Sequence, residues 1–272
     1  MEPWFEGTVQ ANDLAIHYHR TGDAARPPLI LLHGVVDNGL CWTRVARDLQ
    51  GQFDVLMPDA RGHGQTGGSL ENISYDLLAE DVIAFIHALN LEKPILYGHS
   101  MGGLTAALVA AFAPDLVRAI IMEDPPFVDA PATEGERAKQ AQDLSQAAQS
   151  IAALRSLTSE QRLAAARAFN LTWDEAELGP WVESKVEFDL DIGQYMQTDY
   201  PWREPLPRIS CPILLITGDP AHQSLVTPQA AEEAARLWRN GEVVHIEGAG
   251  HSIHRDRYAE TMQAVSDFLS RV

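Results

Sequence analysis

The chain has 272 residues, with 38 acidic and 20 basic side chains and a formal net charge of −18. Hydrophobic residues make up 46% and charged residues 21%, which is typical of a globular protein and excludes disordered, collagen-like and coiled-coil classes. The negative charge predicts that the protein binds neither nucleic acid nor anionic membranes, because both would repel it.

The N-terminal segment and the cysteines indicate the cellular compartment of the protein. Residues Met1 to Glu6 include two acids and no long apolar run, so they do not form a signal peptide. Cys41 and Cys211 are too few for a disulfide framework. We therefore expect a cytoplasmic protein with reduced thiols. Its oligomeric state, monomer or homodimer, is left open.

Short aliphatic runs that end at glycine or proline alternate with helical segments. The runs predicted as strands are Phe5–Gln10, Leu14–His19, Pro28–Leu32, Asp54–Met57, Pro94–Tyr97, Val117–Met122, Pro212–Thr217 and Glu242–Ile246. The predicted helices are Cys41–Leu49, Ser74–Leu89, Gly102–Ala113, Pro228–Trp238 and Arg255–Leu269. Most of the strands lack two-residue alternation, as strands buried on both faces do. The pattern predicts an α/β fold with a mostly parallel eight-stranded sheet flanked by helices.

The pattern changes between residues 127 and 206. This segment is rich in alanine and acidic residues, contains no convincing strand and lies between groups of prolines. Long insertions in compact domains tend to be functional. We predict a helical cap, or lid, of residues 127–206 that is inserted after the sixth strand. The core domain would then comprise residues 1–126 and 207–272.

The strongest chemical signal is the sequence Gly-His-Ser-Met-Gly at residues 98–102, between a predicted strand and a predicted helix. G-x-S-x-G in this position forms a nucleophile elbow. The sharp turn strains Ser100 and lifts its hydroxyl off the sheet, and the helix N-terminus favours negative charge beside it. Ser100 is therefore the predicted nucleophile.

A serine hydroxyl needs a neighbouring base. His251 lies in a loop after the last predicted strand, which brings it to the edge of the sheet where Ser100 lies. His254 is expected to be a solvated residue in the first turn of the last helix, and His245 a packed residue of the strand. His251 is the predicted base.

A negatively charged tetrahedral intermediate needs two backbone N–H donors. Met101, directly after the nucleophile, would supply one of them. The turn after Pro28–Leu32 would supply the other, and Val35 is the residue that we predict for it. His33 in the same turn is expected to hydrogen-bond neighbouring loops rather than to act as a base.

In these motifs the chain resembles an α/β-hydrolase-fold serine hydrolase over essentially its full length. The matching residues, in order, are Leu-Leu-His33-Gly34, Asp59–Gly64, Gly98–Gly102 and Gly250-His251. The resemblance implies a triad of serine, histidine and an acid. Haloalkane dehalogenases and epoxide hydrolases of this fold have an aspartate where Ser100 stands, so neither reaction is expected.

The resemblance leaves the acid of the triad open. Many family members carry it after the seventh strand, where this chain has Asp219, two positions before the usual place. Lactone-cleaving members, the fungal zearalenone lactonases among them, resemble this chain in placing the acid at the end of the sixth strand, where Asp124 follows Glu123. Asp124 is our first choice, Asp219 the alternative, and Glu123 a minor candidate.

Motifs for cofactors and metals are missing from the sequence. It has no phosphate-binding or dinucleotide-binding glycine motif. His17 and His19 share one face of an edge strand but lack a carboxylate at ligand spacing. We therefore predict no cofactor and no metal.

Acids outnumber bases in the predicted cap, which disfavours anionic substrates. The expected substrate is a small, neutral, hydrophobic ester or lactone, either acyl-homoserine-lactone-like or aromatic. Predicted substrate-binding residues are His33, Gly34, Val36, Phe127, Trp181, Tyr195 and Trp202. The alternatives are a carbon–carbon hydrolase of ring-cleavage products and a non-catalytic ligand receptor on the same fold.

Overall fold

A computed structural model of the protein describes residues 4–69, 71, 73–129, 133–187 and 200–272. These residues form an eight-stranded sheet in the order β1-β2-β4-β3-β5-β6-β7-β8. The strands are β1 Phe5–Ala11, β2 Leu14–Thr21, β3 Pro28–Leu32, β4 Asp54–Pro58, β5 Ile95–His99, β6 Ala119–Glu123, β7 Ile213–Thr217 and β8 Gly241–His245. β2 is antiparallel to both of its neighbours and all other pairs are parallel, which confirms the predicted sheet.

The central strands are buried on both faces, and this explains their continuous apolar runs. Every residue of β4, β5, β6 and β7 is buried. Leu96 belongs to the apolar cluster on one side of the sheet, and its neighbour Tyr97 belongs to the cluster on the other side. Two cores therefore hold the sheet between layers of helices.

Helices flank the sheet at the predicted places. The helices are α1 Thr43–Leu49, α2 Tyr75–Ala88, α3 Met101–Phe112, α4 Glu134–Arg155, α5 Ser159–Phe169, α6 Glu175–Glu187, α7 Pro228–Leu237, α8 Ile253–Asp256 and α9 Tyr258–Leu269. All residues of α3 from Met101 to Ala111 are buried, so this helix lies in the interior. The last predicted helix is divided at Arg257, whose φ of −137° is not helical.

Helices α4, α5 and α6 lie between β6 and β7 in the chain, where the sequence predicts a cap. α5 and α6 pack on each other through Ala166, Leu178 and Val182. The division of the chain into a core and a cap stays a prediction. None of the helices in the described ranges is long and apolar enough to cross a membrane.

Both cysteines are buried free thiols. Burial raises the pKa of Cys41 and of Cys211 to about 11. Since the thiolate is the reactive form, both side chains are inert at neutral pH.

Candidate active site

Ser100 lies at the junction between β5 and α3 in a strained conformation. Its φ of 52° and ψ of −116° lie outside the regions that serine usually occupies. A Cβ atom on Gly98 would lie 2.1 Å from the carbonyl oxygen of Gly102, and one on Gly102 would lie 2.1 Å from that of Leu32. Both glycines are thus required for the strand to turn into the helix beside β3.

We expect Gly102→Ala to destabilise the protein by more than about 4 kcal/mol, because its methyl group would overlap backbone that cannot move. Gly135→Ala is the matched control. Gly135 is also helical, but the nearest atom to its added Cβ is 4.0 Å away, so this variant should be as stable as the parent or slightly more stable. Urea unfolding measures both. Equal midpoints for the two variants would contradict the steric argument.

The structure brings Asp124 and His251 together. His251 Nδ1 lies 2.7 Å from Asp124 Oδ2, and the carboxylate is fully buried while the imidazole is one-third exposed. Asp124 directly follows β6 and has a φ of 41°. Its carboxylate also accepts hydrogen bonds from Ser224 Oγ and from the N–H groups of Leu225 and Val226. Four hydrogen-bond partners therefore fix the orientation of this carboxylate toward the histidine.

Asp219, the alternative acid, makes different contacts. Its carboxylate lies 2.9 Å from His245 Nε2 and accepts a hydrogen bond from the N–H of Gly248. That N–H and His245 lower the pKa of Asp219. The expectation that His245 is a core residue was wrong: it is exposed, because β8 is an edge strand on which half-buried and exposed positions alternate.

His251 stands beside the chain segment that carries Ser100. The rings of His251 and His99 are 4.8 Å apart, and His99 Nε2 donates to the carbonyl oxygen of His251 at 2.8 Å. Burial and the neighbouring His251 lower the pKa of His99 to about 3, so His99 is a neutral spacer. Within the described residues no hydrogen bond joins Ser100 Oγ to His251. Such bonds commonly tighten only when substrate is bound.

A second pair of acid and histidine lies beside the first. Glu123 accepts hydrogen bonds from His254 Nδ1, from the His254 N–H and from the Tyr97 hydroxyl. Burial alone would raise the pKa of Glu123, but the charge and hydrogen bond of His254 and the hydrogen bond of Tyr97 lower it to about 2. The expectation that His254 is solvated was wrong. It is buried and stacks on Trp42 with ring centres 4.6 Å apart.

The loop after β3 is held by histidines and by backbone. His33 Nδ1 donates to the carbonyl oxygen of Gly34, and His33 Nε2 accepts from the N–H of Ala60, as a structural histidine should. His63 Nε2 contacts the carbonyl oxygen of Val35. A Cβ on Gly34 would lie 2.9 Å from His99 Nδ1, so the loop lies close to the elbow.

Two buried cations beside this loop were not anticipated from the sequence. Lys185 of α6 is almost fully buried, and its Nζ donates to Val36 O at 2.6 Å and to Asp37 Oδ1 at 2.8 Å. Arg255 donates to the other oxygen of Asp37 at 2.8 Å. Burial opposes ionisation of Asp37, but the charges of Arg255 and Lys185 hold its pKa well below the usual range. Asp37 thus ties the loop to α6 and to α8.

The predicted substrate-binding residues have mixed environments. Phe127 and Trp202 are buried and stacked, with ring centres 4.5 Å apart. Trp181 packs edge-on against Trp173 and lies under Lys185 Nζ. These contacts pack aromatic residues of the predicted cap segment against one another, and contact with substrate stays a prediction. Tyr195 lies outside the described residues.

A group that could hold a metal ion lies away from Ser100, on β1 and β2. The expectation that His17 and His19 lack a carboxylate partner was wrong, because Glu6 reaches them from the neighbouring strand and Asp59 from the end of β4. Sequence spacing alone does not show a ligand that comes from another strand.

Comparison with known proteins agrees with this geometry. A family model described as alpha/beta hydrolase fold matches residues 27–258. The chain belongs to the α/β-hydrolase family. It is 30% identical to N-formylmaleamate deformylase of Pseudomonas putida, over 97% of this chain and 96% of that enzyme. It is also 30% identical to 3-oxoadipate enol-lactonase 2 of Acinetobacter baylyi, over 79% of each chain. This α/β-hydrolase is therefore an enzyme of a hydrolase family.

Solved structures show the same fold. The structure of E-2-(acetamidomethylene)succinate hydrolase matches with a TM-score of 0.82 and covers 98% of this chain and all of that one, at 19% sequence identity. The agreement at such low identity indicates that the sheet and its flanking helices are retained while the sequence varies.

Proposed function

We propose that this α/β-hydrolase cleaves carboxylic esters or lactones through a covalent acyl-Ser100 intermediate. The observation that carries the proposal is the buried Asp124 carboxylate, 2.7 Å from His251 Nδ1, next to a serine in a strained strand-to-helix turn. A nucleophile, a base and an orienting acid in that order constitute the chemistry of a serine hydrolase.

In the proposed reaction, His251 Nε2 takes the proton of Ser100 as Oγ attacks the carbonyl carbon. Asp124 accepts the Nδ1–H bond and stabilises the imidazolium that forms. The N–H groups of Met101 and Val35 bind the oxygen that becomes negative. The imidazolium then gives its proton to the leaving oxygen, and water, activated by the same histidine, releases the acid and restores Ser100.

The net charge of the protein supports a neutral substrate, and one relative supports a lactone. With a net charge of −18, the protein repels polyanions, so a neutral substrate has the advantage at the site entrance. The Acinetobacter baylyi relative is an enol-lactonase. We therefore place neutral esters and lactones first, including acyl-homoserine-lactone-like and aromatic lactones.

An amide is the second candidate substrate, because the Pseudomonas putida relative is a deformylase that matches 97% of this chain. The same residues would act, but the proton from His251 must then reach the leaving nitrogen rather than an oxygen. A carbon–carbon hydrolase of ring-cleavage products would again use the Ser100, His251 and Asp124 set, and a substrate panel separates the three reactions.

Labelling with a fluorophosphonate tests the proposed nucleophile. We expect one adduct per chain, located on Ser100 by peptide mass spectrometry, and no adduct in Ser100→Ala. Ser270→Ala, a change at an exposed serine near the C-terminus, should label like the parent. A folded parent protein without an adduct, or a Ser100→Ala variant that hydrolyses esters at the parental rate, would contradict the proposal.

A substrate panel then ranks the candidate reactions by kcat/KM. It contains p-nitrophenyl esters of increasing chain length, acyl-homoserine lactones, a resorcylic lactone, an N-formyl amide and a dienoate ring-cleavage product. The highest kcat/KM should belong to a neutral ester or lactone. A higher value for the N-formyl amide or the dienoate would replace the ester assignment with the corresponding alternative while retaining Ser100.

A further inference from the structure

The hairpin of β1 and β2 carries a group of metal-ligating side chains far in sequence from the proposed catalytic residues. One ligand atom from each of Glu6, His17 and His19 lies within 4.8 Å of the others. Glu6 is the direct register partner of His19, and His17 lies two residues before His19 on the same face of β2. Strand pairing therefore fixes these three side chains next to one another.

Asp59 orients the central ligand of this group. His17 is buried, and its Nδ1 lies 2.7 Å from Asp59 Oδ2. The Asp59 carboxylate also accepts hydrogen bonds from the N–H groups of Gly39 and Gln65, so it is held on several sides. A carboxylate on the far nitrogen of a histidine is the usual partner of a metal-binding imidazole, since it fixes the tautomer and the direction of the free lone pair.

The other nitrogen of His17 faces a second carboxylate. His17 Nε2 lies 3.0 Å from Glu6 Oε1. When His17 donates its Nδ1–H to Asp59, the lone pair of His17 Nε2 faces a lone pair of Glu6 Oε1. The two lone pairs repel each other unless a second proton or a metal ion lies between them. The ring nitrogens of His19, one of which completes the group, have no hydrogen-bond partner among the described residues. Glu6 is about half exposed, so an ion can enter from solvent.

We propose that Glu6, His17 Nε2 and His19 bind a divalent transition-metal ion, with zinc the best fit. Two imidazoles and a carboxylate, completed by water, form a tetrahedral set that zinc accepts at about 2.0–2.2 Å per protein ligand. The ion takes the place of the proton between His17 and Glu6 and crosslinks β1 to β2. Because the unfolded chain does not hold the three ligands together, binding stabilises the folded protein.

Calorimetric titration of the tag-free, EDTA-dialysed full chain with Zn²⁺ tests this site. We expect one ion per chain in the parent, at least tenfold weaker binding in Glu6→Gln and in His19→Gln, and unchanged binding in His245→Gln. The last variant is the matched control, since His245 belongs to an exposed pair with Asp219 that is not part of the proposed site. Co²⁺ should give the visible absorption bands of a tetrahedral site in the parent and lose them in the first two variants.

Thermal unfolding supplies a second readout that does not depend on activity. Zn²⁺ should raise the Tm of the parent and of His245→Gln by a few degrees and leave that of Glu6→Gln unchanged. Glu6 is exposed on the edge strand β1 and His19 is only half-buried on β2, so their variants should fold, and circular dichroism checks this. No stoichiometric binding by the parent, or parental affinity in both Glu6→Gln and His19→Gln, would overturn the proposal.

Discussion

Asp124→Asn should lower kcat for the best ester substrate by about four orders of magnitude, with a smaller change in KM. Four donors now surround the carboxylate, namely His251 Nδ1–H, Ser224 Oγ–H and two backbone N–H groups. The amide group of an asparagine would point N–H₂ at one or more of them, so that a donor faces a donor. The imidazole then loses the tautomer that lets Nε2 accept the proton of Ser100. Steady-state kinetics on a p-nitrophenyl ester measures the effect.

Asp219→Asn is the matched control for this prediction. Its carboxylate is bonded to His245 and Gly248 rather than to His251, so kcat should remain within about tenfold of the parent. Both variants change a carboxylate to an amide in a loop that follows a central strand. A large loss in Asp219→Asn with a small loss in Asp124→Asn would reverse the assignment of the acid, and full activity in both would remove the acid from the mechanism.

Asp37→Asn should destabilise the protein by about 3–5 kcal/mol, the usual cost of leaving buried charges without a partner. Asp37 is the anion shared by the buried cations Lys185 and Arg255, at 2.8 Å from each. When it is neutral, the Glu177 carboxylate, 3.8 Å from Arg255, is the one anion among the described residues that remains to balance them. Urea unfolding should show a lower midpoint with an unchanged slope, since the same surface is exposed on unfolding.

Asp129→Asn is the control for the Asp37 variant. Asp129 pairs with Arg203 at the surface, where water screens both charges, so its loss should leave the midpoint unchanged. Asp37→Asn should also reduce kcat. Lys185 holds the loop that contains Val35 by donating hydrogen bonds to the carbonyl oxygen of Val36 and to the side chain of Asp37, and the substitution weakens this attachment. Parental stability in Asp37→Asn would show that the two cations are solvated in solution.

The central sheet could be predicted from the sequence because its strands are buried on both faces. Such strands are short runs of aliphatic residues with glycine or proline at their ends, and the short length and the flanking residues distinguish them from a buried helix such as α3. The glycines around Ser100 were equally informative, since the backbone of Leu32 and of α3 leaves no room for a side chain at either position. At this turn the local sequence pattern and the packing of the whole fold require the same two glycines.

The environments of charged residues could not be predicted, because they depend on contacts across the chain. Lys185 looks like any surface lysine of a polar helix, yet its partners, Val36 and Asp37, lie 149 and 148 positions away. For the same reason, the sequence predicted His254 to be exposed and His245 to be buried, whereas the opposite is true. His254 packs under Trp42 and pairs with Glu123, whereas β8 happens to be the outermost strand.

The loop after β7 illustrates why the acid was ambiguous. The sequence places Asp219 near the position where many family members carry the acid, but the structure uses this loop differently. Ser224, Leu225 and Val226 of the loop donate hydrogen bonds to Asp124. The loop therefore supports a carboxylate that comes from β6, and no pattern within the loop itself reveals that it does so.

The long reach of these contacts has a consequence for how the enzyme is made. Asp124 bonds to residues 100 to 102 positions later and to His251 127 positions later, so the carboxylate must wait for most of the remaining chain. Closing such long loops is entropically slow, and β7 and β8 must join the sheet first. During synthesis the nucleophile segment leaves the ribosome well before its partners do. If the proposed triad is correct, we expect a nascent chain to hold Ser100 on folded strands without hydrolytic activity until His251 has emerged.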